Sequence, residues 1–411
     1  MRKLNAYTTY LLLNGMDGLT FSLVSTVSLV YQATMVGLDP LQMVLVGTTL
    51  EFSAFVFEVP TGIVADVYSR RLSIIIGYVL VGIGFLVEGL FPFFATVLIA
   101  QVLWGLGYTF TSGATEAWIS DEIGEAKAGH AFLRAAQVAR LATLVGIVAS
   151  IFIGNMRVNF PIIVGGGGYI VMALILALVM PETGFHPTSR ENRNSFQHMW
   201  HTFRSGIDMV KRRPVLTTIL GFGIFHGLYS EGVDRLWTPF MLLLKFPEFD
   251  GLTTVTWFGI IRVGSILLGI AANEIASRRV NTTDESSIRR ALFGINAAMV
   301  VAIVVFAASP NILIAMLAHW TWSLLRQTHN PLYTAWVNQR LDSQVRATVI
   351  SMSSQVDALG QIIGGPIIGA IGTVISLRAA LLSSAAILSP VLALFARTRE
   401  TAESRTQTVI D

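Results

Sequence analysis

Along the chain, apolar residues gather in stretches of about 18 to 25, separated by short polar turns. At about 1.5 Å of rise per residue, each stretch is long enough to cross a hydrocarbon core of about 30 Å as a helix. The stretches fall at about 7–32, 42–61, 72–95, 97–118, 132–155 and 161–180, then at about 214–243, 254–275, 291–309, 311–336, 347–372 and 374–396. This pattern predicts an all-α membrane protein of 12 transmembrane helices in two six-helix bundles. The first stretch is too long for a signal-peptide core, carries Asp17 and has no small-residue cleavage site, so it reads as a retained helix.

The one clear break lies between the two sets of six, where Pro, Asn, Arg and His replace the apolar residues. The expected organisation is a bundle over 1–180, a cytoplasmic linker over 181–213, a second bundle over 214–398 and a tail over 399–411. Within the linker Phe196, Met199, Phe203, Ile207 and Val210 recur at helical spacing beside Arg204, Lys211, Arg212 and Arg213, predicting an amphipathic helix on the inner membrane face. The halves echo one another at an offset of 218 residues: Trp118 with Trp336, Gln137 with Gln355, Asp66 with Asp284 and Arg71 with Arg289. An internal duplication places such pairs at matching points in the helix order.

Charge then orients the helices. With the N-terminus inside, and with Arg134 and Arg378 at span ends counted with the flanking segments, 21 of the 28 Lys and Arg residues fall on the cytoplasmic side and three on the outer side, so both termini are expected in the cytoplasm of a cell bounded by an inner (plasma) membrane. The formal charge of +3 reflects this asymmetry and gives no reason to expect a nucleic-acid partner. There is no cysteine, no His-Glu-x-x-His arrangement, and no lysine followed by Ser or Thr. These absences argue against thiolate metal sites, zinc hydrolase chemistry and a phosphate-binding loop, so neither a cofactor nor an enzymatic role is expected.

An ionisable residue at mid-bilayer costs at least about 2.5 kcal/mol and marks a cavity, a buried partner or a relay. Helices 6, 9 and 12 hold none in their interiors and helix 3 has only Glu88 near its outer end, so every third helix reads as lipid-compatible. The other eight carry Asp17, Glu51, Glu116, Arg140, the cluster Glu231, Asp234 and Arg235, Arg262, Arg326 and Asp357, and are expected to surround a polar central cavity. The offset of 218 carries Asp17 onto Arg235, so the two are expected to face each other, either as a permanent lock between helices 1 and 7 or as a proton-coupling pair. Arg140, Arg262 and Arg326 are candidates to hold anionic substrate groups or to neutralise Glu51, Glu231 or Asp357. Trp104, Tyr108, Phe225, Tyr229, Trp322 and Tyr333 offer stacking surfaces, whereas Trp118, Trp237, Trp257 and Trp336 near span ends read as interfacial anchors.

At the inner end of helix 2, Gly62-Ile-Val-Ala-Asp66-Val-Tyr-Ser-Arg70-Arg71 resembles the G-x-x-x-D-x-x-x-R-R signature of major facilitator transporters. The resemblance implies a cytoplasmic latch, with Asp66 near the start of helix 11 and Arg346, and Arg70 on Glu116 or Asp121. Four patches look more narrowly like the macrolide- and tetracycline-efflux branch: Glu58-Val-Pro60-Thr-Gly62, Ala114-Thr-Glu116-Ala-Trp118 with Asp121-Glu122, Ser230-Glu231-Gly232-Val-Asp234-Arg235-Leu-Trp237, and Gln355-Val-Asp357-Ala-Leu-Gly360-Gln361-Ile-Ile-Gly364-Gly365-Pro366. Gln101 departs from that branch, standing where its proton antiporters usually carry an arginine four residues before the helix 4 glycine, here Gly105. The helix 5 Gly-Pro element is also missing. What the resemblance implies is proton-coupled efflux of amphipathic small molecules by a monomer in contact with membrane lipids. The alternatives are import of a small polar metabolite and a non-transporting receptor or scaffold.

Overall fold

The structure, a computed structural model, describes residues 3–187, 214–247, 249, 252–340 and 343–396. The predicted linker helix over 196–210 lies outside them, as does the side chain of Arg346. The described residues form twelve helices and no strand. In the first sequence half α1 spans Ala6–Val36, α2 Pro40–Val67, α3 Arg70–Leu90, α4 Phe94–Ile123, α5 Glu125–Met156 and α6 Phe160–Val179. In the second, α7 spans Pro214–Leu242, α8 Thr254–Arg279, α9 Glu285–Ala308, α10 Ile312–Arg340, α11 Ser343–Val374 and α12 Leu377–Ala396.

Ten of the twelve are long and apolar enough to cross a membrane, which makes this a multi-pass membrane protein. The other two, α7 and α10, fall short on composition. Glu231, Asp234 and Arg235 crowd one stretch of α7, and α10 carries His319, Arg326, Gln327, His329 and Asn330. Several helices outrun their apolar stretches, α2 to Val67 and α5 back to Glu125, because a helix once nucleated continues through polar residues that remain in water. Side-chain caps start others: Asn5 accepts from the Tyr7 N–H, Ser69 from Leu72, Asp284 from Ser286 and Ser287, and Ser376 from Ala379. Gly113 and Gly124, at φ of 70° and 82°, break α4 and separate it from α5 in a conformation that a side chain resists.

The chain forms two compact units. The first holds residues 3–38, 49–187 and 252–262, and the second 39–48, 214–247 and 263–396. Each therefore includes the start of one helix from the other sequence half. Lipid tails are as apolar as leucine, so close backbone approach and interhelical hydrogen bonds hold such bundles. In the first unit a Cβ on Gly18 would lie 2.6 Å from the Ala139 carbonyl oxygen, and one on Gly146 would lie 2.0 Å from Ser22 Oγ, so α1 and α5 meet at van der Waals contact. Ser150 adds a hydrogen bond to the Leu23 carbonyl at 2.7 Å. The glycine run of α6 is shared out: Gly165 and Gly168 face α1, and Gly166 faces α3. In the second unit Gly227, Gly360 and Gly364 let α7 and α11 cross, a Cβ on Gly227 falling 2.0 Å from the Asp357 carbonyl oxygen.

Two pairs of helix starts share the 218-residue offset. α4 and α5 begin at residues 94 and 125, α10 and α11 at 312 and 343, which is the offset that carries Trp118 onto Trp336. Those two tryptophans are not interfacial anchors: both are fully buried. Trp118 donates to the Pro181 carbonyl at 2.8 Å, and Trp336 packs against Tyr333 and Phe395. Asp66 and Asp284 do not share a place, since Asp66 ends α2 and Asp284 caps α9.

Candidate functional site

A cavity of about 390 Å³ opens within the first unit, among α1, α3, α4 and α6. Asp17 reaches it from α1 and Glu116 from α4, and among the described residues no basic side chain lines it. Tyr169 donates its hydroxyl to Asp17 Oδ1 at 3.0 Å, and its ring stacks on Tyr78 with centroids 5.8 Å apart. Phe21 and Phe85 bracket Trp104 at 5.7 and 5.2 Å. A wall of aromatic faces with two carboxylates at its edge suits a molecule with a planar apolar body and a positive or proton-donating group. Sequence reasoning missed Tyr169; its signal was a lone tyrosine directly after the glycine run of an otherwise apolar helix.

The second unit disposes its charges differently. Arg235 Nε donates to Glu231 Oε1 at 2.9 Å along α7, both largely buried. Gly47, at the start of α2, leaves this pair its room: a Cβ there would fall 1.4 Å from Glu231 Oε1 and 2.3 Å from Arg235 Nε. Arg326 of α10 pairs with Asp234 and covers the Trp322 ring at 5.3 Å. Asp357 of α11 meets His226 Nδ1 at 2.9 Å and accepts from Gln361 Nε2 at 2.8 Å. His226 packs in turn against the tilted Phe222 ring and stacks with His329. Neither histidine figures in the sequence-derived site, because a search for metal spacing passes over a single imidazole placed opposite a carboxylate 131 residues away.

The remaining charges lie elsewhere. Arg262, in the first unit, donates to the Ser25 carbonyl at 2.8 Å and to Ser25 Oγ at 2.7 Å, so its partner is a polar notch in α1 rather than an acid. Glu51 is partly buried on α2. Arg140 is exposed on α5 and is not among the residues lining the cavity. Among the described residues, no group of three or more His, Asp or Glu side chains is placed to hold a metal ion.

At the end of the first unit that carries the chain terminus, Arg70 pairs with Asp121. Gly62 lies inside α2 in open space, not in a turn, and Asp66 is exposed in the last turn of that helix. Arg71 reaches the Ala177 carbonyl, while its N–H donates to Glu182 Oε1 at 2.9 Å and Ser69 Oγ donates to Glu182 Oε2 at 2.7 Å. Glu122 accepts from Thr183 Oγ1 at 2.8 Å and the Gly184 N–H at 2.7 Å. The segment Pro181 to Gly184 therefore ties the α2–α3 turn to the end of α4. Glu182 and Glu122 are absent from the sequence-derived gate, although the acid following Pro181 directly after a span was a readable signal.

Comparison with known proteins agrees with this architecture. The family description Major Facilitator Superfamily matches residues 10–364. The chain is similar to YxaM of Bacillus subtilis (strain 168), an MFS-type transporter, with 24% identity over 347 residues and 83% of each chain covered. In fold it resembles the nucleoside transporter NupG, with a TM-score of 0.72, 14% identity, and coverage of 96% of this chain and 99% of that one. It also resembles a bacterial homologue of the human lysosomal transporter Spinster, with a TM-score of 0.67, 13% identity, and 95% of both chains covered. A family match running from the first helix into the eleventh, on helices that overlay solved transporters over nearly their whole length, establishes that this chain belongs to the major facilitator superfamily.

Proposed function

We propose that this protein is a secondary active transporter of the inner membrane, spanning it twelve times with both termini in the cytoplasm, that exports amphipathic small molecules in exchange for protons by alternating access. The observation that carries this reading is the cavity of the first unit: aromatic walls, Asp17 on a tyrosine hydroxyl, Glu116 at the edge and, among the described residues, no base in the lining. Such a site takes either a proton or a cationic amphipath, and competition for one carboxylate is the simplest way to couple the two. The two α7 carboxylates and Asp357 take a supporting role, since each has a cationic or imidazole partner in the second unit. The Arg70–Asp121 pair and the Glu182 and Glu122 contacts would act as a cytoplasmic latch. Each inward proton supplies about 2.3 kcal/mol per 100 mV of potential and about 1.4 kcal/mol per unit of pH gradient. One or two protons per cycle sustain useful accumulation.

The test is a proteoliposome assay of known protein orientation, following tetracycline, a macrolide and a fluorescent lipophilic cation under an imposed pH gradient. The expected result is gradient-driven movement of at least one compound, lost in Asp17→Asn. Uptake of a small polar solute down its own gradient, insensitive to uncouplers, would instead establish the import reading.

A further inference from the structure

The acid of α3 lies apart from the residues that line the cavity. Glu88, expected on a lipid-compatible helix, is only 1% exposed. Gln32 Nε2 donates to its Oε1 at 2.8 Å and Gln101 Nε2 to its Oε2 at 3.3 Å, and both glutamines are equally buried. Gln32 opens the five-residue π-helical turn that ends α1, a distortion of the kind that accompanies binding sites. Asn159, ahead of α6, donates Nδ2 to the carbonyl of Gly89 at 2.9 Å. The amide oxygens of all three, Gln32 Oε1, Gln101 Oε1 and Asn159 Oδ1, are buried without a hydrogen-bond partner. Stranding a buried acceptor costs about 1–3 kcal/mol, so two on amides that hold one carboxylate, with a third on the neighbouring Asn159, call for a ligand that uses them.

We propose that Glu88, Gln32 and Gln101, with Asn159 beside them, form a binding site for one monovalent cation, a proton or Na⁺, distinct from the Asp17 cavity. A primary amide serves both states of such a site. Toward an ionised carboxylate the two glutamines donate through Nε2. Turning either amide about its last torsion presents Oε1 instead, which accepts from a protonated Glu88 or ligates a metal cation shared with the carboxylate. The switch needs no backbone movement. Tyr31 of α1 also reaches this residue, its hydroxyl donating to the Glu88 carbonyl. α4 presents the neutral Gln101 and the turn before α6 the neutral Asn159, while the one ionisable residue of α6, Tyr169, packs on Phe85 and Tyr78. The position of Gln101 matters here. A fixed arginine at this point would fill the site permanently, whereas an amide leaves it exchangeable.

The experiment uses the full chain in lipid nanodiscs and reads binding without transport, so failure of the export reading leaves it decidable. Infrared difference spectra are recorded between about pH 5 and 9, and melting is followed in NaCl against choline chloride. A proton site gives a protonated-carboxyl band at acid pH that survives in Asp17→Asn and is lost in Glu88→Gln. A sodium site gives a rise in Tm specific to Na⁺, with the affinity weakened at least about tenfold, roughly 1.4 kcal/mol, in Glu88→Gln. Gln101→Arg, which supplies the charge internally, is expected to abolish either response in a folded protein, and it decides the matter if Glu88→Gln fails to fold. A wild-type chain with neither response, or a response unchanged in Gln101→Arg, overturns the proposal.

Discussion

Acids in the two units have partners of different kinds. In the second, Glu231, Asp234 and Asp357 each face a cationic or imidazole partner: Arg235, Arg326 and His226. In the first, Asp17 faces a tyrosine hydroxyl across an open cavity, and Glu88 faces two amides. A charge-paired acid resists protonation and braces helices, whereas an acid held by neutral donors accepts a proton or a cationic ligand at lower cost. On the export reading proposed above, coupling falls to the first unit and bracing to the second.

The largest effects separate these roles. Asp17→Asn is expected to abolish gradient-driven transport while leaving the melting temperature within experimental error, because Tyr169 still has an oxygen to donate to. Glu231→Ala is expected to do the reverse in kind, lowering stability by about 3 kcal/mol by depriving a buried guanidinium of its carboxylate partner. Melting curves of both variants in the same detergent check this pair. A destabilised Asp17→Asn with intact transport would exchange the roles assigned to the two units.

Gly47→Ala sharpens the second half of the comparison. Its Cβ has nowhere to go, at 1.4 Å from Glu231 Oε1, so the Glu231–Arg235 pair must shift. A loss of about 1–3 kcal/mol follows, in the range of ordinary overpacking. Since the added methyl acts through Glu231, the double variant with Glu231→Ala is expected to lose less than the two single losses together. Strict additivity in a thermal-melt double-mutant cycle would show that Gly47 matters for some other contact.

Most of the fold was legible because lipid imposes so simple a demand: every backbone polar group must be satisfied within its own helix, so an apolar run of sufficient length is nearly a helix by necessity. Helix ends were not legible to the same degree. The chain stays helical past Thr61 to Val67 and from Glu125 inward, where water, caps and glycines set the limits and hydropathy is silent. For the site, the intramembrane acids announced themselves by cost, but their partners did not. Tyr169 lies 152 residues from Asp17 and His226 131 from Asp357, and neither residue type is unusual in a span. Glu88 reads as peripheral in the sequence because its position near the end of α3 resembles an interfacial place. Only packing shows that it is buried.

The smallest effect tests two aspartates separated by the 218-residue offset. Asp284 and Asp66 align at the 218-residue offset, yet only Asp284 caps a helix, accepting from the N–H groups of Ser286 and Ser287 at 3.1 and 3.0 Å. The Ser286 hydroxyl, then the Ser286 N–H, hold the Asp284 carboxyl below its ordinary value. A carboxyl depressed in the folded state stabilises above its unfolded pKa of about 3.9, and that contribution fades as pH falls through the lower folded value. Asp284→Ala is therefore expected to melt slightly below the wild type near neutral pH and to converge with it in acid, while Asp284→Asn, which keeps the acceptor, stays closer to the wild type throughout. Asp66→Ala, made in parallel, removes no cap and should show no such convergence. A pH-independent gap in Asp284→Ala would mean that the side chain acts through packing rather than through the ionised cap, and the divergence between the two aspartates would lose its electrostatic explanation.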